Sequence, residues 1–159
     1  MSAAPVPVIA GVGAVVQRAE PDHAVEAVEL MAQAVYRAAD DGAAALVERA
    51  GLILVPEGMW AYRDPAAIVA ERCGIAGAHT GFASVGILQQ TLLDQAATTI
   101  ARGEADVVIV VGGEARHRVR LARKSGVEVH DTAQADDVRP DTRIDPTADI
   151  LHDLEIHRG

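Results

Sequence analysis

A run of β-branched residues between glycines constrains this sequence more than any other feature. Residues 107–111 read Val-Val-Ile-Val-Val, which is typical of a strand that is covered on both faces in a parallel sheet. Gly103 lies shortly before the run, and the pair Gly112 and Gly113 follows it directly. Because glycine interrupts regular structure, the run predicts one buried strand with a sharp entry and a sharp exit.

The segment before Gly103 has the periodicity of an amphipathic helix. Its apolar positions recur at intervals of three and four residues: Leu92, Leu93, Ala96, Thr99 and Ile100. Gly103 just past the last of them marks the end of the helix. In open α/β sheets ligands bind beyond the carboxyl ends of the strands, so Gly112 and Gly113 either approach a ligand or form a tight strand exit. The sequence leaves both interpretations open.

The same alternation extends over the rest of the first 117 residues. Strands are predicted at residues 7–13, 52–56 and 78–85, and helices at residues 24–41, 43–50 and 65–73. Asp22 and Asp64 are predicted helix caps, with Pro65 in the first turn. The strand at 78–85 is less hydrophobic than the others, which suggests a sheet edge or a subunit contact. The pattern predicts an α/β fold with a mostly parallel sheet and helices on both faces.

The chain has 159 residues, which suits one domain on a prior of roughly 100–200 residues per domain. We predict an α/β domain over residues 1–117 and a partly irregular segment over residues 118–159. Residues 125–159 are rich in Asp, Arg, Pro and His, and the apolar positions 150, 151, 154 and 156 suggest a short amphipathic turn.

The charge of the chain argues against a nucleic-acid partner. Its net charge is −9, so a phosphate backbone would be repelled. One cationic run follows Gly113 and comprises Arg116, Arg118, Arg120, Arg123 and Lys124. These residues are either a solvated helix face or contacts for a small phosphorylated ligand.

Other motifs carry weaker signals. Gly11 and Gly13 resemble only part of a dinucleotide fingerprint, and Ser84 lacks a nucleophile elbow. Cys73 is the only cysteine and lies on an apolar helix face, which favours a buried hydrophobe over a reactive nucleophile. The histidines, including those at 117, 130, 152 and 157, match no metal pattern.

We expect a soluble, cytoplasmic protein for three reasons. The sequence has a single cysteine, it shows no secretory signal, and it has no apolar stretch of about 18–20 residues.

Several of these segments together resemble the N-terminal half of a thiolase. They are PVIAGVG near the start, the order of helices and strands, and above all ATTIARGEADVVIVVGGEARHR, with the most specific part between Thr91 and Glu114. The sequence most resembles thiolase-like acetyl-CoA acetyltransferases and lipid-transfer proteins related to sterol-carrier-protein thiolase. The resemblance implies a thiolase fold, acyl-CoA thioester substrates and the making or breaking of a carbon–carbon bond.

The resemblance also locates a missing catalytic group. In thiolases the nucleophilic cysteine stands at the start of the helix that ends here at Gly103, and the matching position is Gly86. Gly86 cannot form an acyl-enzyme, and the family's other catalytic groups belong to a C-terminal half. Two hypotheses follow: an acetyltransferase domain that is inactive alone, or a non-catalytic acyl-CoA or lipid-binding or scaffold subunit. The resemblance implies coenzyme A thioester as the ligand, with the cationic run near its phosphates, and a homodimer or a complementary thiolase-like chain as the assembly.

Overall fold

The computed structural model of the chain describes residues 5–20, 23–42 and 44–146. In chain order the elements are α1 (Ala27–Asp41), α2 (Ala44–Val47), β1 (Leu52–Pro56), α3 (Pro65–Arg72), β2 (His79–Ala83), α4 (Gln89–Ala101), β3 (Val108–Val110), α5 (Arg116–Ser125) and β4 (Thr142–Ile144). The predicted cap Asp22 and the apolar positions from 150 to 156 lie outside the described residues. No helix in the described ranges is long and apolar enough to cross a membrane.

The four strands form one parallel sheet with the order β3-β1-β2-β4. β1 is an interior strand of this sheet, since it pairs with β2 on one side and with β3 on the other. Ile53, Leu54 and Val55 of β1 are fully buried, as expected of a strand with helices on both faces. The α/β fold predicted from the sequence is therefore confirmed.

Two apolar clusters lie on opposite faces of the sheet. The larger joins α1 and α3 to one face, with Met31 and Val69 against Ile53. The smaller joins α4 to the other face, with Leu92 against Leu54. Because side chains alternate along a strand, neighbouring residues of β1 serve the two clusters in turn.

Local signals mark several element ends as the sequence predicts. The side chain of Asp64 accepts a hydrogen bond of 3.0 Å from the N–H of Ala67, with Pro65 in the first turn of α3. After α4 the chain turns at Gly103, whose φ of +70° is left-handed. α1 begins at Ala27 rather than at residue 24, and its N-cap Glu26 makes no side-chain cap bond. The Glu26 carboxylate instead binds Arg72 and Thr132.

The predicted first strand at residues 7–13 is wrong as a sheet strand. The segment is not part of the sheet, and it lies against α1 instead. A Cβ at Gly11 would stand 2.1 Å from the carbonyl oxygen of Ala38, and one at Gly13 would stand 2.0 Å from that of Ala34. These glycines therefore allow backbone to approach a helix closely, which explains the partial dinucleotide motif without a nucleotide.

Of the two interpretations of residues 78–85, the sheet edge is wrong and the subunit contact stays a prediction. β2 pairs with β1 on one side and with β4 on the other, so it is an interior strand among the described residues. The edge strand β4 comes from the tail, where the sequence shows no strand pattern. Asp141 holds it in place, since its carboxylate accepts a hydrogen bond of 2.8 Å from the N–H of Thr80.

Candidate functional site

Several polar side chains lie just after the carboxyl ends of the strands. Glu57 follows β1, Ser84 follows β2 and Asp145 follows β4, while Gly113 and Glu114 follow β3. Because the strands are parallel, these carboxyl ends share one edge of the sheet, which is where α/β proteins bind ligands. The loop of residues 84–88, which enters α4, crosses this edge.

A polar network fixes that loop. The N–H of Val85 donates to Oε2 of Glu57 at 3.0 Å, and Nη2 of Arg143 lies 3.9 Å from the same oxygen. Nε of Arg143 also donates to Oδ1 of Asp145 at 3.0 Å. The hydroxyl of Ser84 donates to that same Asp145 oxygen. The network thereby connects the ends of β1, β2 and β4 to the start of α4.

This arrangement does not make Ser84 a nucleophile. The hydrogen bonds from Ser84 and Arg143 hold the pKa of Asp145 below its usual range. A carboxylate with a lowered pKa is a poor general base. Ser84 and Asp145 therefore shape the loop, in agreement with the missing hydrolase elbow in the sequence.

Gly86 lies in the turn between β2 and α4, close to the first helical residue, Gln89. Its φ is +99°, which glycine adopts freely and residues with a Cβ rarely adopt. A Cβ built at Gly86 would meet only Cγ of Pro146, at 3.6 Å. The position therefore has room for a side chain but carries none, so no nucleophile stands there.

A cavity of about 400 Å³ lies beside this network. The chain's sole tryptophan, its sole phenylalanine and one of its two tyrosines border it. Its charged and aromatic lining residues are Glu57, Trp60, Tyr62, Arg63, Phe82, Arg139 and Arg143. The guanidinium carbon of Arg143 lies 5.2 Å from the centroid of the Phe82 ring, and the Trp60 and Phe82 rings are 6.0 Å apart. Guanidinium groups beside aromatic rings suit a ligand with anionic and planar parts.

The pair Gly112 and Gly113 has a packing role at this edge. A Cβ at Gly112 would stand 2.8 Å from Cγ of Pro56. The carbonyl of Gly113 accepts a hydrogen bond of 3.0 Å from Nε1 of Trp60, and the carboxylate of Glu114 accepts one of 2.7 Å from the N–H of Met59. These contacts support the tight strand exit, which is one of the two interpretations that the sequence leaves open.

The cationic run forms α5 and divides into two parts. Arg118 is buried, and its guanidinium donates to Asp131 at 2.7 Å, to the carbonyl of His130 at 2.9 Å and to that of Ala24 at 3.1 Å. The other members are exposed: Arg116, Arg120, Arg123 and Lys124. On a helix of 3.6 residues per turn these four lie away from the buried positions 118 and 122. Only these four members of the run are therefore available to an anionic ligand.

Cys73 is buried, as predicted. Its Sγ lies 4.0 Å from the carbonyl oxygen of Ala32. Burial, and secondarily the charge of Glu29, raise the pKa of the thiol to about 11. A buried thiol with a raised pKa is a poor nucleophile. Within the residues that the structure describes, no group of His, Cys, Asp and Glu could hold a metal ion.

Comparison with known proteins identifies the fold. No family model and no curated protein matches the sequence. Among solved structures the chain is similar to a cysteine-to-serine variant of Xanthomonas campestris OleA, with 26% identity and a TM-score of 0.53 over 69% of this chain. OleA is a thiolase-superfamily enzyme. The fold is thiolase-like.

The OleA structure contains lauric acid and lauroyl-CoA. This chain spans about a third, 34%, of the OleA chain, so the two proteins correspond over one α/β portion only. The thiolase-like fold is associated in OleA with acyl-CoA binding. The particular branch of the superfamily suggested by the sequence is not distinguished by this similarity.

The sequence indicates Gly86, which lies between β2 and α4, but gives little sign of the residues around it. Glu57 has a weak signal, since it is the acidic residue that follows the exit proline of a predicted strand. Arg143 and Asp145 have none, because they belong to a polar tail whose strand β4 is not apparent from its composition. Their place in the site depends on pairing between β2 and β4, which joins Ser84 to Asp145 across 61 residues of chain.

Proposed function

We propose that this chain is a thiolase-like domain that binds acyl-CoA thioesters without being acylated itself. The observation that carries the proposal is Gly86, which has no side chain and lies just before the start of α4 in a thiolase-like fold. Thiolysis requires a thiolate to attack the thioester carbonyl. Neither Gly86 nor the buried, weakly acidic thiol of Cys73 supplies one.

Two features support binding of the thioester at this edge. The related OleA structure holds lauroyl-CoA, and the cavity beside the loop of residues 84–88 combines aromatic rings with Arg139, whose guanidinium donates to backbone carbonyls. Burial of an adenine ring against aromatic groups and pairing of phosphates with guanidinium groups are both favourable. The cavity is thus a suitable place for the nucleotide part of coenzyme A.

The exposed cations of α5 are a second candidate for the phosphates of coenzyme A. Arg116, Arg120, Arg123 and Lys124 lie on one solvent-facing surface that begins directly after the strand exit at Glu114. Their charge opposes the net charge of −9 of the chain. Arg118 is left out of this proposal because its guanidinium is already paired within the protein.

A second candidate function is catalysis within a larger assembly. The thiolase-like fold and the span of only 34% of OleA favour it. In that case a second half would contribute the nucleophile, the acid and base and the oxyanion donors for carbon–carbon bond chemistry on acetyl-CoA or a longer acyl-CoA. The present chain would then position the substrate.

A titration with lauroyl-CoA tests the proposed function. Trp60 is the only tryptophan and borders the cavity, so its fluorescence should change saturably on binding. Intact-mass analysis after incubation should show no acyl adduct, and no free coenzyme A should appear. Coenzyme A without an acyl chain, measured in parallel, separates nucleotide binding from acyl binding.

Paired variants locate the phosphates. Arg139→Ala should weaken binding if the cavity holds the nucleotide, and the double charge reversal Arg120→Glu with Arg123→Glu should weaken it if α5 does. The double reversal Arg18→Glu with Arg102→Glu, at two exposed arginines outside α5 and outside the cavity lining, is the control matched to the double reversal in net charge. An acyl adduct on the native chain, or no binding of lauroyl-CoA at all, contradicts the proposal.

A further inference from the structure

One side of α5 is a cationic surface. At about 100° per residue its four exposed cations fall within one arc of about 100°, opposite the buried residues Arg118 and Ala122. The helix contains no acidic residue. We call this surface the cationic face, and its members are Arg116, Arg120, Arg123 and Lys124.

Arg118 fixes the direction in which the cationic face points. Its guanidinium donates to the carbonyls of Ala24 and His130 and to the carboxylate of Asp131. The residue is buried, so these bonds are shielded from water. Three anchors on one side chain oppose rotation of the helix about its axis. The cationic face is therefore held toward solvent.

The members of the cationic face have no acidic partner within residues 5–20, 23–42 and 44–146. Other arginines do pair with carboxylates, as Arg49 does with Asp106 and Arg72 with Glu26. Acidic residues outnumber lysine and arginine by 23 to 14 in the sequence, so acidic partners are plentiful. The charges of the cationic face are thus available to an external anion.

This clustering of charge disfavours the helix itself. Arg120 lies four residues from both Arg116 and Lys124, and like charges at that spacing destabilise a helix. Arg116 is also the first helical residue, where the positive end of the helix dipole favours acidic side chains. Sequences depart from such local rules mainly at functional sites. The cationic face therefore indicates binding of an anionic partner.

The shape of the cationic face favours one class of anion. Between Arg116 and Lys124 it extends about 12 Å along the helix axis, and it is convex, so its cations diverge and do not enclose one compact ligand. A protein interface has an apolar core, whereas Val119, 51% exposed, is the only exposed apolar residue of α5. A plane of anionic headgroups requires neither a recess nor an apolar core.

We propose that the cationic face docks the protein reversibly on the surface of a bilayer that contains anionic lipids. Each cation near such a surface increases the partition of the protein onto it about fivefold. Salt screens charges beyond about 8–10 Å, so the acidic remainder of this chain, whose net charge is −9, is repelled only weakly and turns α5 toward the lipid. Because α5 follows β3 after a short connection, docking would bring the carboxyl edge of the sheet close to the bilayer.

Co-sedimentation of the full chain with lipid vesicles tests the docking. Phosphatidylcholine vesicles with about a third of phosphatidylserine should bind the chain at about 0.05 M salt and release it at about 0.5 M. Vesicles of phosphatidylcholine alone should not bind it. The assay contains no acyl-CoA, so its outcome is separate from that of the lauroyl-CoA titration.

Two double variants locate the bilayer contact. Arg120→Gln with Arg123→Gln removes two cations from the face and should lower the partition about 25-fold. Arg18→Gln with Arg102→Gln removes the same charge at two exposed arginines outside α5, and should lower it less than about threefold. Equal losses in the two double variants would overturn the proposal, because binding would then follow net charge alone.

The remaining outcomes assign the face to other partners or to none. No binding to the anionic vesicles, or equal binding to vesicles of phosphatidylcholine alone, would overturn the proposal. Release by inorganic phosphate beyond that by chloride at the same ionic strength would overturn it in favour of a site for small anions. Tighter binding to poly-glutamate or to a DNA duplex than to the vesicles would overturn it in favour of an acidic protein or a nucleic acid.

Discussion

The guanidinium of Arg118 and the carboxylate of Asp131 form an ion pair of 2.7 Å that holds α5 to the segment after it. The same guanidinium reaches the carbonyl of Ala24 at 3.1 Å, ahead of α1. Arg118→Ala removes these bonds from a buried side chain, so we expect the free energy of unfolding to fall by about 2–3 kcal/mol. Urea denaturation measures this, with Arg120→Ala as an exposed control that should be neutral. Equal effects of the two variants would contradict the structural role of Arg118.

Glu26 should make the stability of the fold depend on acid. Burial alone would raise the pKa of its carboxyl, but hydrogen bonds from Thr132 and Tyr62 and the charge of Arg72 outweigh it and lower the pKa below 4.5. A lowered pKa in the folded state means that the stabilisation is present above pH 4.5 and is lost as the pH falls through the folded-state pKa.

Glu26→Gln should therefore flatten the fall of the melting temperature on the acid side of pH 4.5 and lower the melting temperature at neutral pH. Glu48→Gln, outside this network of hydrogen bonds, serves as the control. A pH profile of Glu26→Gln that runs parallel to that of the native chain would show that Glu26 does not couple folding to protonation.

The sequence predicts the elements whose signals are local. The helix cap Asp64 with Pro65, and the stop at Gly103 before β3, depend on residues a few positions apart and are confirmed. Residues 7–13 have equally strong strand composition, yet pairing requires a neighbour that composition does not reveal. β4 shows the converse, because a polar segment becomes a strand through the bonds of Asp141 with Thr80.

The candidate site shows the same difference between features with local sequence signals and features that depend on tertiary pairing. Gly86 could be located by counting back from Gly103, since one helix separates the two. The network of Glu57, Arg143 and Asp145 could not, because it forms only after the sheet brings three strand ends together. Side chains that meet through tertiary pairing have no common spacing in sequence.

Cys73 should be unreactive in the folded chain. Burial and the nearby charge of Glu29 raise the pKa of its thiol to about 11, so little thiolate exists at a mildly alkaline pH of about 8. We expect a disulfide reagent such as dithionitrobenzoate to react slowly with the native chain and to titrate the single thiol rapidly in guanidinium chloride. Rapid reaction of the native chain would contradict the burial of the thiol and would make Cys73 a candidate nucleophile.

Restoration of a thiol at position 86 tests the placement of the acyl-CoA group. Gly86→Cys, in a Cys73→Ala background, meets no atom closer than Cγ of Pro146 at 3.6 Å. The φ of +99° strains the residue, so stability should fall by about 1–3 kcal/mol. The start of α4 favours the thiolate, so lauroyl-CoA should acylate this cysteine, as seen by intact mass.

The control is Val85→Cys, one residue earlier and exposed, which should react with lauroyl-CoA about tenfold more slowly. Equal acylation of the two variants would mean that the thioester is not bound at the start of α4.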